Sequence, residues 1–430
     1  MVILPSDIVG TIHEGTSRAD LPISLVSVDD GDAYVYETLT FECGKGRRKV
    51  SGLLRFVESK DSCGQDIPSG VEVLVVARSA DKEAKNVSSE NTIFYDAWVH
   101  VSGDTSLQQR PVKIIDFDSE VFSRIHGLYE TDVLKAKTVL ILGLGSGGSS
   151  IAVELAKAGV GRFILCDHDR LEVGNLVRHI CGLSDLGRFK TKAVRDQILG
   201  KNPSAQIETL EQRIDWDYLP KLKELVRRAD LVFCCTDNRA SRMLVNLACI
   251  SEHRICIYGG TLNRAYGGHV LRVTPKVSMC YQCFVDLLPD KADDQEVASQ
   301  EQANRVAYDD RVVPIEPGLA NDIAPIAIMC VKFGILELLR GTETTLASLF
   351  EDLSNAWYLW LNRREPGTDY AGLNPLDTDG SDDLRILAWY GVANERDPGC
   401  PVCGDFASQL LEGNDLTTAE LDIFAPTATK

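Results

Sequence analysis

No run of this 430-residue chain is long and apolar enough to span a bilayer, so no membrane association is expected. The opening MVILPSDIVG holds no basic segment and no sustained hydrophobic stretch, so no secretory signal is read there. Positive charge is scarce. Lys and Arg number 45 against 63 Asp and Glu, a net charge of −18. That argues against a nucleic-acid partner, because phosphate binding needs a basic face. It suits solubility and is compatible with a protein partner that is basic where it docks. Cysteine is not scarce. Thirteen cysteines without a secretion signal point to a cytoplasmic protein with mostly buried thiols and room for a metal site.

The chain is 44% apolar, enough for a sizeable core, and its length suggests two domains or one with an accessory. Residues 1–112 carry β-like runs at Ile23–Val28, Ala33–Phe41, Val50–Val57, Val71–Ala77 and Thr92–Val101, broken by Gly, Asp and Ser. Gly44 to Gly46 reads as a turn. No catalytic constellation is visible there, and Cys43 and Cys63 read as ordinary cysteines, so this part is expected to be a β-rich accessory domain.

Residues 113–430 are organised around Thr138 to Lys192. Val139–Leu142 is apolar and β-branched, as a buried parallel strand is. Gly143, Gly145 and Gly148 follow as G-x-G-x-x-G, then a helix over Ile151–Ala158 and a strand over Arg162–Asp167. Such a βαβ unit brings backbone N–H groups to a phosphate at the helix N-terminus. The glycines alone also fit a tight turn, and Asp167 alone fits the ribose-binding acid of a dehydrogenase. The next residues separate these readings. Asp167 and Asp169, then Asn175 and Arg178, then Lys190 put several polar groups just past a strand end, where ligands of open α/β sheets bind. Two cations and an amide suit a triphosphate better than a nicotinamide.

This pattern resembles the ThiF/MoeB/ubiquitin-activating superfamily, whose members adenylate the C-terminus of a ubiquitin-like protein. The family pattern is a Gly-rich turn, D-x-D, N-L-x-R-Q, and a lysine three residues after a glycine. Here these are Gly143/Gly145/Gly148, Asp167/Asp169, Asn175 to Arg178, and Gly187 with Lys190. Ser146 stands where the family often has glycine, and His179 where it usually has glutamine. The match runs from about Phe122 to Cys403.

Further motifs follow from the resemblance. A helix over Ser119 to Lys137 contains Arg124, which matches the arginine that reaches a neighbouring subunit's ATP, and so implies a homodimer. The strand ending at Asp237-Asn238 matches an aspartate beside nucleotide and Mg²⁺. An acid at a strand's C-terminal end is well placed to hold that ion. It also fits as N-cap of a helix over Arg239–Ile250. Cys280/Cys283 and Cys400/Cys403 form two C-x-x-C knuckles suited to tetrahedral Zn²⁺. Polar residues 286–312 match the crossover loop that embraces a partner's tail, yet no cysteine lies between Cys283 and Cys330. Cys330 reads as core. Any thioester is therefore expected on a non-standard cysteine, with Cys181 the first candidate.

The expected fold is α/β: a Rossmann-like, mostly parallel sheet extended by antiparallel strands, with the β-rich N-terminal domain. The expected function is ATP-dependent activation of a ubiquitin-like modifier, with a downstream conjugating enzyme as a further partner. Sulfur-carrier adenylation, the same chemistry on an RNA-modification substrate, an NAD-dependent oxidoreductase and a non-catalytic scaffold remain as alternatives. The assigned roles are ribose binding for Asp167, phosphate binding for Asn175, Arg178 and Lys190, and Mg²⁺ for Asp237. Asp169 and Asn238 join the same nucleotide set.

Overall fold

The computed structural model describes residues 1–6, 21–28, 33–36, 48–57, 69–79, 93–100, 107–116, 120–288, 318–376, 384–405 and 407. The chain divides into two compact units, Met1–Ser123 and Arg124–Lys430.

The first unit is a closed barrel of β1 (Val2–Pro5), β2 (Leu21–Val28), β3 (Ala33–Tyr36), β4 (Arg48–Val57), β5 (Val73–Ser79), β6 (Ile93–His100) and β7 (Leu107–Ile115). The strand order is β1-β3-β2-β4-β5-β6-β7, and parallel pairing of β1 with β7 closes it. Val2, Leu4, Leu25, Leu54, Val73 and Val75 fill the core. Alternation decides which side chains go inside. In β5, Val73 and Val75 join that core while Leu74 and Val76 pack into a smaller cluster with Leu53. The strand β7 continues to Ile115, past the boundary expected at 112, because it pairs along its length with β6 and β1.

The second unit begins differently from expectation. The helix read over Ser119 to Lys137 is replaced by turns through Val121–Ile125 and a short helix α1 (Thr131–Lys135). Gly127 between them sits at φ +81, a left-handed conformation that ends any helix.

From there the chain winds an eight-stranded sheet. Its strands are β8 (Thr138–Leu142), β9 (Arg162–Cys166), β10 (Gln206–Leu210), β11 (Leu231–Cys234), β12 (Cys256–Thr261), β13 (Gly267–Val273), β14 (Trp357–Leu361) and β15 (Ala388–Val392). Their order is β10-β9-β8-β11-β12-β13-β14-β15. The first five in that order are parallel, and β13, β14 and β15 add antiparallel pairings. The fold is thus the expected mostly parallel sheet with an antiparallel extension.

Both faces of the parallel part are buried, which explains why β8 reads as a continuous apolar run rather than an alternating one. Val139 and Ile141 face a core shared with α2 (Ser146–Lys157) and α7 (Ala320–Leu338), including Ile151, Cys330 and Phe333. Leu140 and Leu142 face the other core, with Leu222 and Val226 of α4 (Leu219–Arg228) and Val245 of α5 (Arg239–Ser251). The remaining α-helices among the described residues are α3 (Lys190–Leu199), α6 (Tyr281–Leu287) and α8 (Leu349–Asp352). Among the described residues, no helix is long and apolar enough to cross a membrane.

After β8 the chain steps outward to β9 and β10 on one side, then returns to place β11 on the other. Strand order therefore reverses between β8 and β11. In an open α/β sheet, the carboxyl ends of the strands at such a reversal form the ligand crevice.

Candidate functional site

The crevice starts with the glycine turn. Gly143 follows β8 at φ +85, and a Cβ there would lie 2.7 Å from the Cys235 carbonyl oxygen. A Cβ on Gly148 would lie 2.0 Å from the Gly143 carbonyl oxygen. Both positions are glycine because β8, α2 and the end of β11 pack backbone to backbone. Gly145, the residue capping α2, is different: a Cβ there would meet nothing within 4 Å. The space in front of the α2 N-terminus is open, where helical N–H groups favour an anion.

Asp167 leaves the end of β9 and braces this turn. Its Oδ2 accepts from Leu144 N–H at 2.6 Å and its Oδ1 from Asp169 N–H at 2.8 Å. Asp169 then meets Lys190, whose Nζ donates to its Oδ2 at 2.7 Å. Burial pushes the Asp169 carboxyl up, and the hydrogen bond and charge of Lys190, with His168 and Arg213, more than offset this and hold it below the usual range. The spacing of Gly187 and Lys190 has a backbone cause. Residues 187–190 return alongside 169–171, with Leu171 N–H donating to Arg188 O (2.8 Å), Gly187 N–H to Leu171 O (2.9 Å) and Lys190 N–H to Asp169 O (3.0 Å). Arg170 also lies over the Phe189 ring, 3.8 Å from its centroid. The lysine is thus delivered to the strand end by two-chain pairing.

Between these segments runs the loop carrying Asn175 and Arg178. Asn175 is occupied in shaping it: its Oδ1 accepts from Glu172 N–H at 2.9 Å. Arg178 and His179 line a cavity of about 320 Å³ with Ser146 and Ser150 of α2 and Asn321 and Ala324 of α7. Ser150 and Asn321 carried no signal in sequence. Asn321 comes from a helix far along the chain and Ser150 sits inside an ordinary helical run.

On the other side of the crevice stands the loop after β11. Asp237 and Asn238 are exposed there. The α5 cap is Asn238, not Asp237: Asn238 Oδ1 accepts from Ser241 N–H at 2.8 Å. Two buried side chains of α5 fasten the loop. Arg242 Nε donates to Thr236 O at 2.8 Å, and Ser241 Oγ to Thr236 Oγ1 at 2.7 Å. Asp237 therefore projects from a loop held by others. Arg124 is exposed within the turns of Val121–Ile125. The expected crossover loop, from residue 289 onward, lies outside the described residues.

The four knuckle cysteines converge. Their sulfurs all lie within 4.8 Å of one another and could hold a metal ion. Cys280 is 3.9 Å from Cys283 and 3.7 Å from Cys400, and Cys283 is 3.5 Å from Cys403. No sulfur-bearing residue of the set is more than 4% exposed. Asn246 of α5 donates to Cys280 Sγ at 3.4 Å and accepts from Tyr281 N–H at 3.1 Å, while Val402 N–H donates to Cys400 Sγ at 3.4 Å. Hydrogen bonds within the cluster, that from Cys280 first, hold the Cys400 thiol below its usual range.

Cys181 does not fit the role of acyl acceptor. It is 1% exposed, and burial, with Asp185 nearby, pushes its thiol up to about 12. A nucleophilic thiol needs access and a lowered pKa. Cys330 and Cys256 are fully buried and also raised by burial.

Residues 118–360, more than half of the chain, match the ThiF family. The chain is 32% identical over 185 residues to ubiquitin-like modifier-activating enzyme 5 of Caenorhabditis elegans, covering 40% of this chain and 44% of that protein. It is 31% identical over 243 residues to the sulfur carrier protein ThiS adenylyltransferase of Escherichia coli K12, covering 56% and 87%. It thus spans less than half the length of the first relative and most of the second. Among solved structures it is similar to E. coli MccB in a structure with ATP, at 23% identity and a TM-score of 0.46, over 64% of this chain and 68% of that one. With the family pattern covering both the glycine turn and the strand ends that build the crevice, the chain belongs to the ThiF family.

Proposed function

We propose that this protein activates the C-terminal carboxylate of a ubiquitin-like modifier by ATP-dependent adenylation. The observation that carries the reading is the meeting of an open helix N-terminus at Gly145, the Asp169–Lys190 pair and the Asp237 loop at one strand reversal. In this reading a carboxylate oxygen of the partner attacks the α-phosphorus of ATP, and the bond to the β-phosphate oxygen breaks, releasing pyrophosphate. No protein side chain forms a covalent bond in that step. Positioning and charge neutralisation supply the catalysis. In this reading Asp167 binds the ribose, Asn175, Arg178 and Lys190 bind the phosphates, and Arg124 completes the clamp from a second subunit of a homodimer. Asp237, with Asn238 beside it, would hold Mg²⁺, which would supply neutralisation of phosphate charge. The unit Arg124–Lys430 carries this chemistry and the unit Met1–Ser123 is accessory.

The four cysteines suit Zn²⁺. At a Zn–S bond of about 2.3 Å, tetrahedral sulfurs stand about 3.8 Å apart, close to the spacings here. All four positions are protein thiolates, so the ion is a staple between residues 280–283 and 400–403 rather than a catalyst. The cysteine-rich composition suits the cytoplasm.

The extent of the ThiS adenylyltransferase match favours a second reading, in which the partner is a sulfur-carrier protein. Both readings predict exchange of labelled pyrophosphate into ATP only when a glycine-ended β-grasp protein is present. Which partner supports exchange separates them. Tight NAD binding without ATP binding would overturn both.

A further inference from the structure

The family pattern usually ends its arginine motif with glutamine, and here His179 stands in that place. Its imidazole makes two contacts, one to the glycine turn and one within its own loop. Nε2 lies 2.8 Å from the Leu144 carbonyl oxygen, inside the glycine turn. Nδ1 accepts Cys181 N–H at 3.1 Å, in the loop that carries Arg178. A backbone N–H can only donate, so Nδ1 must carry a lone pair. Nε2 faces a carbonyl, so it must carry the proton. The ring is therefore neutral and in a single tautomer.

Leu144 is gripped from both ends. Its N–H donates to Asp167 and its carbonyl accepts from His179. The two peptide units that flank Leu144 in the glycine turn are thus fixed, one to the end of β9 and the other to the Arg178 loop. We propose that His179 is a positioning residue that locks the glycine turn and the Arg178 loop in register through its neutral Nε2–H imidazole. The inference rests on the adenylation reading for its kinetic consequences, not for its geometry.

The lock has a chemical weakness. A proton on Nδ1 would face the Cys181 N–H and break that contact. The charged groups around the ring are Lys190 from α3, Asp167 after β9 and Asp185 in the Leu183–Asp185 turn, with Arg178 adjacent in its own loop. Burial first, then Lys190, hold His179 below its ordinary 6.5 against the pull of the Leu144 carbonyl, Asp167 and Asp185. Glutamine offers both a donor and an acceptor without a titrating proton, so it can replace the lock and remove the weakness.

The test has two arms on the full chain. In the first, ¹⁵N-histidine NMR, assigned with His179→Gln, is expected to show Nε2 protonated and Nδ1 bare at neutral pH, persisting below pH 6.5. The opposite tautomer, or an ordinary titration near 6.5, overturns the proposal. In the second, partner-dependent pyrophosphate exchange is measured against pH. His179→Ala is expected to lower kcat by roughly 10²-fold, as for a misplaced catalytic frame. His179→Gln is expected to restore it to within a few-fold and to lose an acid limb that wild type shows. Equal rates in wild type and His179→Ala, or an unchanged acid limb in His179→Gln, overturn it. Should His179→Ala fail to fold, His179→Gln and the NMR arm still decide. Absence of exchange in wild type would instead sink the adenylation reading, with the tautomer still measured.

Discussion

Helix α5 serves two regions of opposite character. At its N-terminus Asn238 caps the helix beside Asp237, at the edge of the crevice. Two turns on, Asn246 reaches Cys280 in the thiol cluster. The cluster is closed: its cysteines are buried, and neighbouring N–H groups point at the sulfurs. The crevice is open: Asp169 and Asp237 are exposed and Val177 at its rim is 82% exposed. A site whose every coordination position is a protein atom can only hold structure together. A site of fixed charges left facing solvent can do chemistry on something that enters. The difference between the two is thus a prediction about what each should cost when broken.

The largest effect is expected in the closed region. The double variant Cys400→Ser/Cys403→Ser should lose about one equivalent of bound metal per chain, and its thermal unfolding should shift down by many degrees. Structural thiolate sites carry on the order of 10 kcal/mol of apparent binding free energy, much of which is folding free energy. Elemental analysis and calorimetry check this. A variant as stable as wild type, or a wild type without metal, would erase the contrast.

The open region should behave the other way. Lys190→Ala and Asp237→Ala are each expected to lower pyrophosphate exchange by about 10²- to 10³-fold, the range for removing a preorganised charge from a reacting group. Unfolding temperatures should move much less than in the cysteine variant. Lys190 is buried, but Asp169, the partner left behind in Lys190→Ala, keeps half its side-chain surface in water and so is not stranded as a buried charge. If either variant unfolds while keeping its rate per folded molecule, the crevice is structural and the assignment fails.

How much of this was legible in the sequence follows from how local each contact is. The glycine turn, the strand before it and the Gly187-to-Lys190 spacing are short-range features, and the structure places them at one strand reversal. The knuckles were legible because C-x-x-C is a local signature, although their meeting is a long-range event. Other features depend on partners that only folding supplies. Asn246 bonding Cys280, Asn321 lining the Arg178 cavity and β1 closing the barrel onto β7 leave no periodic trace. The helix expected around Arg124 failed for a local reason, the left-handed Gly127, which apolar spacing does not encode. Asp237 read equally well as cap and as ligand. The structure gives the cap to Asn238, which leaves the Asp237 carboxylate outside the helix.

The smallest expected effect concerns acid, and it sharpens the comparison within the crevice itself. A neutral buried histidine and a paired carboxylate should weaken the folded state in different pH windows. His179 is held below its ordinary 6.5, so between 6.5 and its folded value the unfolded chain binds a proton that the folded chain refuses. Its contribution is therefore full above about 6.5 and is lost as pH falls through the folded value. Asp169 is also held below its ordinary range, here because Lys190 outweighs burial. Its contribution is full above about pH 4, where an unfolded aspartate is ionised, and is lost only below that. Denaturant unfolding followed from pH 8 to pH 3 should thus show a first, shallow loss beginning near 6.5 and a second below 4. The buried His269, held down to about 3 by burial and then by Arg242, loses stability over the same range as His179. His179→Gln should therefore shrink the loss in the first window without abolishing it, and leave the second. Asp169→Asn should do the reverse, at some cost in stability already at neutral pH because Lys190 loses its partner. A first window whose depth is unchanged in His179→Gln would leave His269 to account for all of it and separate the lock from the acid response.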